Sequence, residues 1–211
     1  IDGNNASRIL EISLNATVNV SGVRLYQGAA MGAPGSTPPG ANATNGGPAF
    51  GGAVLVDPGA SLSLSECVLA SNQVTGGTGG LQNSPAALLP GNGGDGSGGA
   101  IYNSGFLIME RCALINNGAH GGNGGDNLSF GLSSNGGLGG NGIGGAIGGG
   151  GQSELVNVLL AQNQAVGGSG GNVLPPFPGT RGGTGGTGTA VALSPSRCRG
   201  LECFHASATT T

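Results

Sequence analysis

Few side chains in this 211-residue sequence could do chemistry. It holds nine carboxylates, two histidines, four cysteines and no lysine. A polysaccharide lyase or glycosidase needs carboxylates clustered in one groove, with or without arginine or calcium. Glu66 and Glu202 fall in one column of the repeat described below, but three repeats apart. Arg111 stands beside Glu66 and reads as a surface ion pair of small energetic weight. His120 sits at a loop start, and His205 takes an apolar position in the last repeat. Neither has an acid near it, so each reads as structural, and no catalytic residue is expected. One stretch has the spacing of a metal site. Gly121 to Ser129 (GGNGGDNLS) fits the calcium nonapeptide GGxGxDxUx, with Asp126 as the candidate ligand. That site needs successive copies, each giving half a ligand set. The equivalent blocks at 76–80 and 167–171 are followed by Leu81 and Asn172 instead.

The elements that position these residues come from an internal repeat. Val23, Cys67, Cys112, Val158 and Cys203 follow one another at spacings of 44 to 46 residues. Two positions on stand Leu25, Leu69, Leu114, Leu160 and His205. Three positions before stand Val20, Leu64, Met109, Leu155 and Gly200. Five before stand Val18, Leu62, Leu107, Ser153 and Cys198. The residue just before is polar or glycine: Gly22, Glu66, Arg111, Asn157, Glu202. Within each copy, apolar residues alternate with polar ones, which specifies strands, not helix. Such short strands cannot bury their own faces and must stack on the neighbouring copy. The expected fold is an all-β, right-handed parallel β-helix of about five rungs, about 4.8 Å apart. A single domain spans 1–211, with repeats at about 8–51, 52–98, 99–144, 145–188 and 189–208. A further column, Gly28, Asn72, Asn117, Asn163 and Ala208, predicts an asparagine ladder at a corner, where asparagine tolerates left-handed backbone.

Between the strands lie long glycine-rich loops on one edge. They carry GGxGG blocks at 76–80, 121–125, 167–171 and 182–186, within a total of 50 glycines. Because the blocks recur in register, the loops are expected to stack as extended polyproline-II-like chains, which only glycine lets approach so closely. The alternative is disordered surface loops.

Cysteine usage leaves two readings. Cys67 and Cys112 occupy one column on adjacent rungs, within disulfide reach, and Cys198 lies close to Cys203. Two disulfides would imply an oxidising compartment. The alternative is a ladder of buried free thiols. N-x-S/T sequons at Asn5, Asn15, Asn19, Asn42 and Asn127 point to a secreted, glycosylated chain. Charged residues make up 7% and the net charge is −3, so no basic patch exists for nucleic acid. No apolar run reaches membrane-spanning length. Residues 1–8 lack a signal-peptide pattern, so the expectation is a mature form or an excised piece.

Gly51-Gly52-Ala53-Val54, Gly98-Gly99-Ala100-Ile101 and Gly144-Gly145-Ala146-Ile147 alternate with Leu69–Asn72, Leu114–Asn117 and Leu160–Asn163. This pattern resembles the GGA[ILV] and FxxN repeats of chlamydial polymorphic outer-membrane proteins, found also in pectin-lyase-like β-helices of surface proteins. Leu replaces the Phe of those repeats, and the glycine-rich insertions are longer. The resemblance implies a surface-exposed structural or adhesive solenoid. Neither end offers a capping helix, so the rung ends are templates for further pairing. The expected function is an extracellular filament, sheath or appendage subunit without cofactor, its partner another copy of itself. Next come a glycan-binding adhesin and then a polysaccharide-degrading enzyme. An ice-binding face would need aligned threonines, and Thr17, Thr75 and Thr189 do not align.

Overall fold

A computed structural model describes residues 1–83, 88–129, 135–174, 181–189, 196–199, 202–204 and 207–209, with side chains through 189. Among these residues there is no helix. The strands, two to five residues long, form five sheets in which every pairing is parallel. The third repeat contributes one strand to each sheet: Gly96–Ser97, Ile101–Asn103, Phe106–Glu110, Ala113–Ile115 and Gly118–His120. No strand pairs with its sequence neighbour; each pairs with its counterpart one repeat away. The chain is therefore a stack of registered rungs.

The register follows the apolar columns. Leu25, Leu69, Leu114 and Leu160 lie over one another, and so do Val20, Leu64, Met109 and Leu155. In the middle rungs these side chains are closed to solvent, with Leu64, Leu69, Met109 and Leu114 at 0% exposure. Burial on this scale stabilises by roughly 1.5–3 kcal/mol per side chain. Ser153 breaks its apolar column, yet its hydroxyl accepts the amide of buried Asn103 at 3.1 Å, so no polar atom is stranded.

The fifth repeat differs from expectation. Cys203 pairs with Leu160, not with Val158, and Cys198 pairs with Leu155, not with Ser153. A shift of two residues keeps every inward position inward, because the side-chain period of a strand is two. The unshifted register would set His205 over Leu160 in the core. The shifted one sets cysteines over leucines. It also moves Ala208 out of the asparagine column, onto Ala165.

Each rung turns at left-handed residues. One corner is Gly22, Glu66, Arg111 and Asn157; a second is Gln27, Ser71, Asn116 and Gln162, all with φ between 52° and 64°. The asparagine column itself is not left-handed, contrary to expectation. The residue before it bends the chain outward, which aims Asn72, Asn117 and Asn163 into the interior. The GGA motif marks a third corner. Gly51, Gly98 and Gly144 have positive φ, and a Cβ there would lie 2.1–2.2 Å from the carbonyl oxygen three residues on. The second glycine abuts the neighbouring backbone, and Ala53, Ala100 and Ala146 are buried.

The glycine-rich segments continue the stack. Each leaves the last strand of a rung as an outgoing leg and comes back as a return leg. Outgoing and return legs alternate in an unbroken relay of hydrogen bonds. Gly77 donates to Gly47, Gly94 to Gly77, Gly122 to Gly94, Gly140 to Gly122, Gly168 to Gly140 and Gly186 to Gly168, all at 2.8 Å. Neighbouring glycines bond within one leg layer: Gly76 N–H to His120 O and Gly121 N–H to Val166 O, both at 2.9 Å. So of each three residues, one bonds along its layer, one bonds across, and the third faces outward, as Thr78, Asn123 and Ser169 do. That is the physical content of GGx. A Cβ on Gly77 or Gly122 would lie 2.0 Å from a carbonyl oxygen of the next chain.

Residues 1–7 add a partial rung at the N-terminal end. Asp2 bridges to Tyr26, Gly3 N–H donates to Tyr26 O at 2.9 Å, and Asn5 N–H donates to Gln27 O at 2.7 Å. This segment leaves Leu10–Ile12 and Thr17–Ser21 as outer edges of their sheets.

Candidate functional site

Among the described residues the carboxylates do not converge. Glu11 pairs with Arg8, Asp2 accepts the Tyr26 hydroxyl at 2.7 Å, and Glu66 meets Arg111 across one rung at 3.1 Å. Arg111 also contacts Glu110. These are exposed pairs of little energetic weight. Among the described residues no three of His, Cys, Asp and Glu stand together as metal ligands. His120 lies in a column with Thr75 and Val166, and burial holds its pKa below the ordinary imidazole value. His205 lies outside the described residues.

Asp126 serves the backbone. Its Oδ1 accepts the N–H of Asn172 at 2.7 Å, and Asn127 N–H donates back to Asn172 O at 2.7 Å. The glycine block runs as an extended leg, and Asp126 with Asn127 clamps the next rung. Asn127 is fully buried, with Oδ1 accepting Ser129 N–H at 3.0 Å, so this sequon is closed to a glycan in the folded chain. Asn5, Asn15 and Asn19 are exposed. Asn42 is exposed too, with its Oδ1 committed to Leu89 N–H at 2.8 Å.

Cys67 and Cys112 stack in one column, as the spacing implies, but they are buried free thiols and not a disulfide. Rungs about 4.8 Å apart hold parallel Cβ atoms farther apart than the roughly 3.8 Å a disulfide wants. Each thiol donates to a backbone carbonyl instead, Cys67 to Ser65 O at 3.2 Å and Cys112 to Glu110 O at 3.3 Å. Burial pushes the Cys112 thiol up, away from the reactive thiolate. The side chains of Cys198 and Cys203 lie outside the described residues; their strands belong to different sheets.

The asparagine column forms a continuous hydrogen-bonded ladder in the interior. Asn72, Asn117 and Asn163 are 0–3% exposed. Asn117 Nδ2 donates to Asn163 Oδ1 at 2.9 Å and to Leu69 O at 3.1 Å. Its Oδ1 accepts Asn72 Nδ2 at 2.9 Å and Asn72 N–H at 3.0 Å. Gly28, the first position of the column, donates its N–H to Asn72 Oδ1 at 2.8 Å. A network with every member satisfied is rigid and specific.

No protein-family model matches this chain, and no curated protein or solved structure matches it either. Its function has to be read from its own surfaces.

Two surfaces stand out. The first is the N-terminal end face. Val18 and Val20 are only partly buried, where Leu62 and Leu64 beneath them are at 0%. Ser61 donates its N–H to Ala16 O, and Gly22 donates to Ser65 O. The alternation this sets aims the amides of Thr17, Asn19 and Ser21 away from the second rung. The second is a cleft of about 290 Å³ where Gly149 and Gly150 leave room beside Tyr102. Phe50 and Tyr102 meet there with ring centroids 4.5 Å apart, beside Asp95 and Ser97.

Proposed function

We propose that this chain is an extracellular structural protein, a right-handed parallel β-helix whose copies stack end to end into a filament or sheath. The observation that carries the reading is the end face: a free strand edge over half-covered core valines. Thr17–Ser21 and Ser196–Arg199 are the two edge strands of one five-stranded sheet, so the Ser196–Arg199 edge of one copy can pair with the Thr17–Ser21 edge of another. The glycine legs are polyproline-II-like chains in this reading, three residues to the turn, and would continue across the junction. Low charge, exposed sequons and the GGA and LxxN repeats support a place on or outside the cell surface.

Negative-stain microscopy of the purified chain, made in a host that adds no N-glycan, tests this. Fibres are expected. Asn19→Pro removes an outward amide without touching the internal ladder, and should shorten or abolish them with unchanged circular dichroism. Monodisperse particles at every concentration would reject the filament. A second reading rests on the Phe50–Tyr102 cleft, whose aromatic pair and carboxylate suit a pyranose ring. Monomers that bind free sugars would favour that adhesin.

A further inference from the structure

The sequence contains six Asn–Gly pairs: Asn45, Asn92, Asn117, Asn123, Asn135 and Asn141, each followed by glycine. In a mobile chain this dipeptide is chemically labile. The glycine backbone nitrogen attacks Cγ of the asparagine side chain, a C–N bond forms, and ammonia leaves. Water then opens the resulting succinimide to aspartate or isoaspartate. The net change is replacement of –NH₂ by –OH.

All six pairs are held in one arrangement. The asparagine Oδ1 accepts the N–H of a single residue on an adjacent rung, and the following glycine N–H donates to the carbonyl of that same residue. Asn45 and Gly46 clamp Asn92 in this way, at 2.8 Å and 2.8 Å. Asn92 and Gly93 clamp Leu138 at 2.9 and 2.8 Å. Asn123 and Gly124 clamp Ser169 at 3.0 and 2.8 Å. Asn135 and Gly136 clamp Arg181, both at 3.0 Å, and Asn141 and Gly142 clamp Thr187, both at 2.9 Å. The interior pair does the same in the other direction: Asn117 and Gly118 hold Asn72 at 3.0 and 2.9 Å.

We infer that the six Asn–Gly pairs are latent modification sites held shut by the stack, opening to succinimide chemistry only where a rung frays or unfolds. The attacking nitrogen is engaged with a carbonyl, and the electrophilic amide is held on a neighbouring chain. Both bonds must break before Cγ can swing onto the nitrogen, so the reaction waits on local opening. The fold also accepts one of the two products. Asp95 and Gly96 clamp Asn141 in the identical manner, at 2.7 and 2.9 Å, so an aspartate fits the site. Isoaspartate lengthens the backbone by one atom and would break the register.

Peptide mass mapping after prolonged incubation at mildly alkaline pH is the test. The native chain is compared with the chain in concentrated guanidinium and with the folded Pro58→Asn variant. That substitution sets an unclamped Asn–Gly pair in the exposed turn between Val54–Val56 and Ser61–Ser65. The six native pairs should deamidate at least about tenfold more slowly in the folded chain than in guanidinium, as expected for chemistry gated by opening. Within the folded variant, the turn pair should also react at least about tenfold faster than the six. Equal rates for clamped and turn pairs in the folded variant would overturn the inference, and so would equal rates with and without denaturant.

Discussion

Asn117→Ala should lower the stability of this chain by about 3–6 kcal/mol. The substitution removes four side-chain hydrogen bonds inside a buried interior, each worth about 0.5–1.5 kcal/mol net, and leaves Asn72 N–H with no acceptor, while Asn72 Nδ2 keeps only Leu25 O at 3.3 Å. Each buried polar group left without a partner costs about 1–3 kcal/mol. For a domain of this size, thermal unfolding should begin about 10–20 °C earlier. Asn116→Gly is the matched control. Asn116 is exposed, sits at φ 54°, and contacts only Ser71 Oγ at 3.4 Å through its side chain. Glycine accepts that backbone, so the change should stay within about 1 kcal/mol. Differential scanning calorimetry of the two variants separates a buried ladder from a decorative one: similar shifts would mean that the ladder carries no special weight.

Gly122→Ala should be nearly as damaging, although it adds a single methyl group in a segment that reads as linker. Its Cβ would stand 2.0 Å from the carbonyl oxygen of Gly77, and the chains on both sides are hydrogen-bonded backbone that cannot yield. Overpacking in a tight interior costs about 1–3 kcal/mol, and the upper end is expected here because no side chain is present to move. Gly150→Ala, in the glycine run that replaces a turn, meets nothing within 4 Å and should be neutral. A neutral Gly122→Ala measured by the same calorimetry would mean that the legs do not pack as described.

The strand part of the fold was legible because its signal is of two kinds at once. Leu69, Leu114 and Leu160 recur at the repeat length, and their neighbours alternate polar and apolar, so period and face agree. The fifth repeat misled because a two-residue slip leaves that alternation intact, and only burial of His205 argues against the unslipped register. The interior asparagines were legible as a column, but not their backbone. The left-handed residue is the one before, and Ser71, Asn116 and Gln162 share no chemistry that would show it. The loop clamps were missed altogether. Their signal is an Asn or Asp before the clamping residue, repeated across loops of unequal length, and alignment on strand columns does not bring Asn45, Asn92 and Leu138 together. The cysteine column was legible and its bonding was not, since spacing places two sulfurs near each other without setting the distance between their Cβ atoms.

Amide hydrogen exchange, followed residue by residue by nuclear magnetic resonance, tests most directly whether the glycine legs belong to the stack. The relay from Gly77 through Gly94 and Gly122 to Gly140 should exchange as slowly as the strand amides of Leu69 and Leu114, since every donor in it is bonded to the next chain. Exchange of those glycine amides at the rate of an unstructured peptide, with the strands still protected, would contradict a stacked leg layer and reduce the ordered structure to the rungs alone.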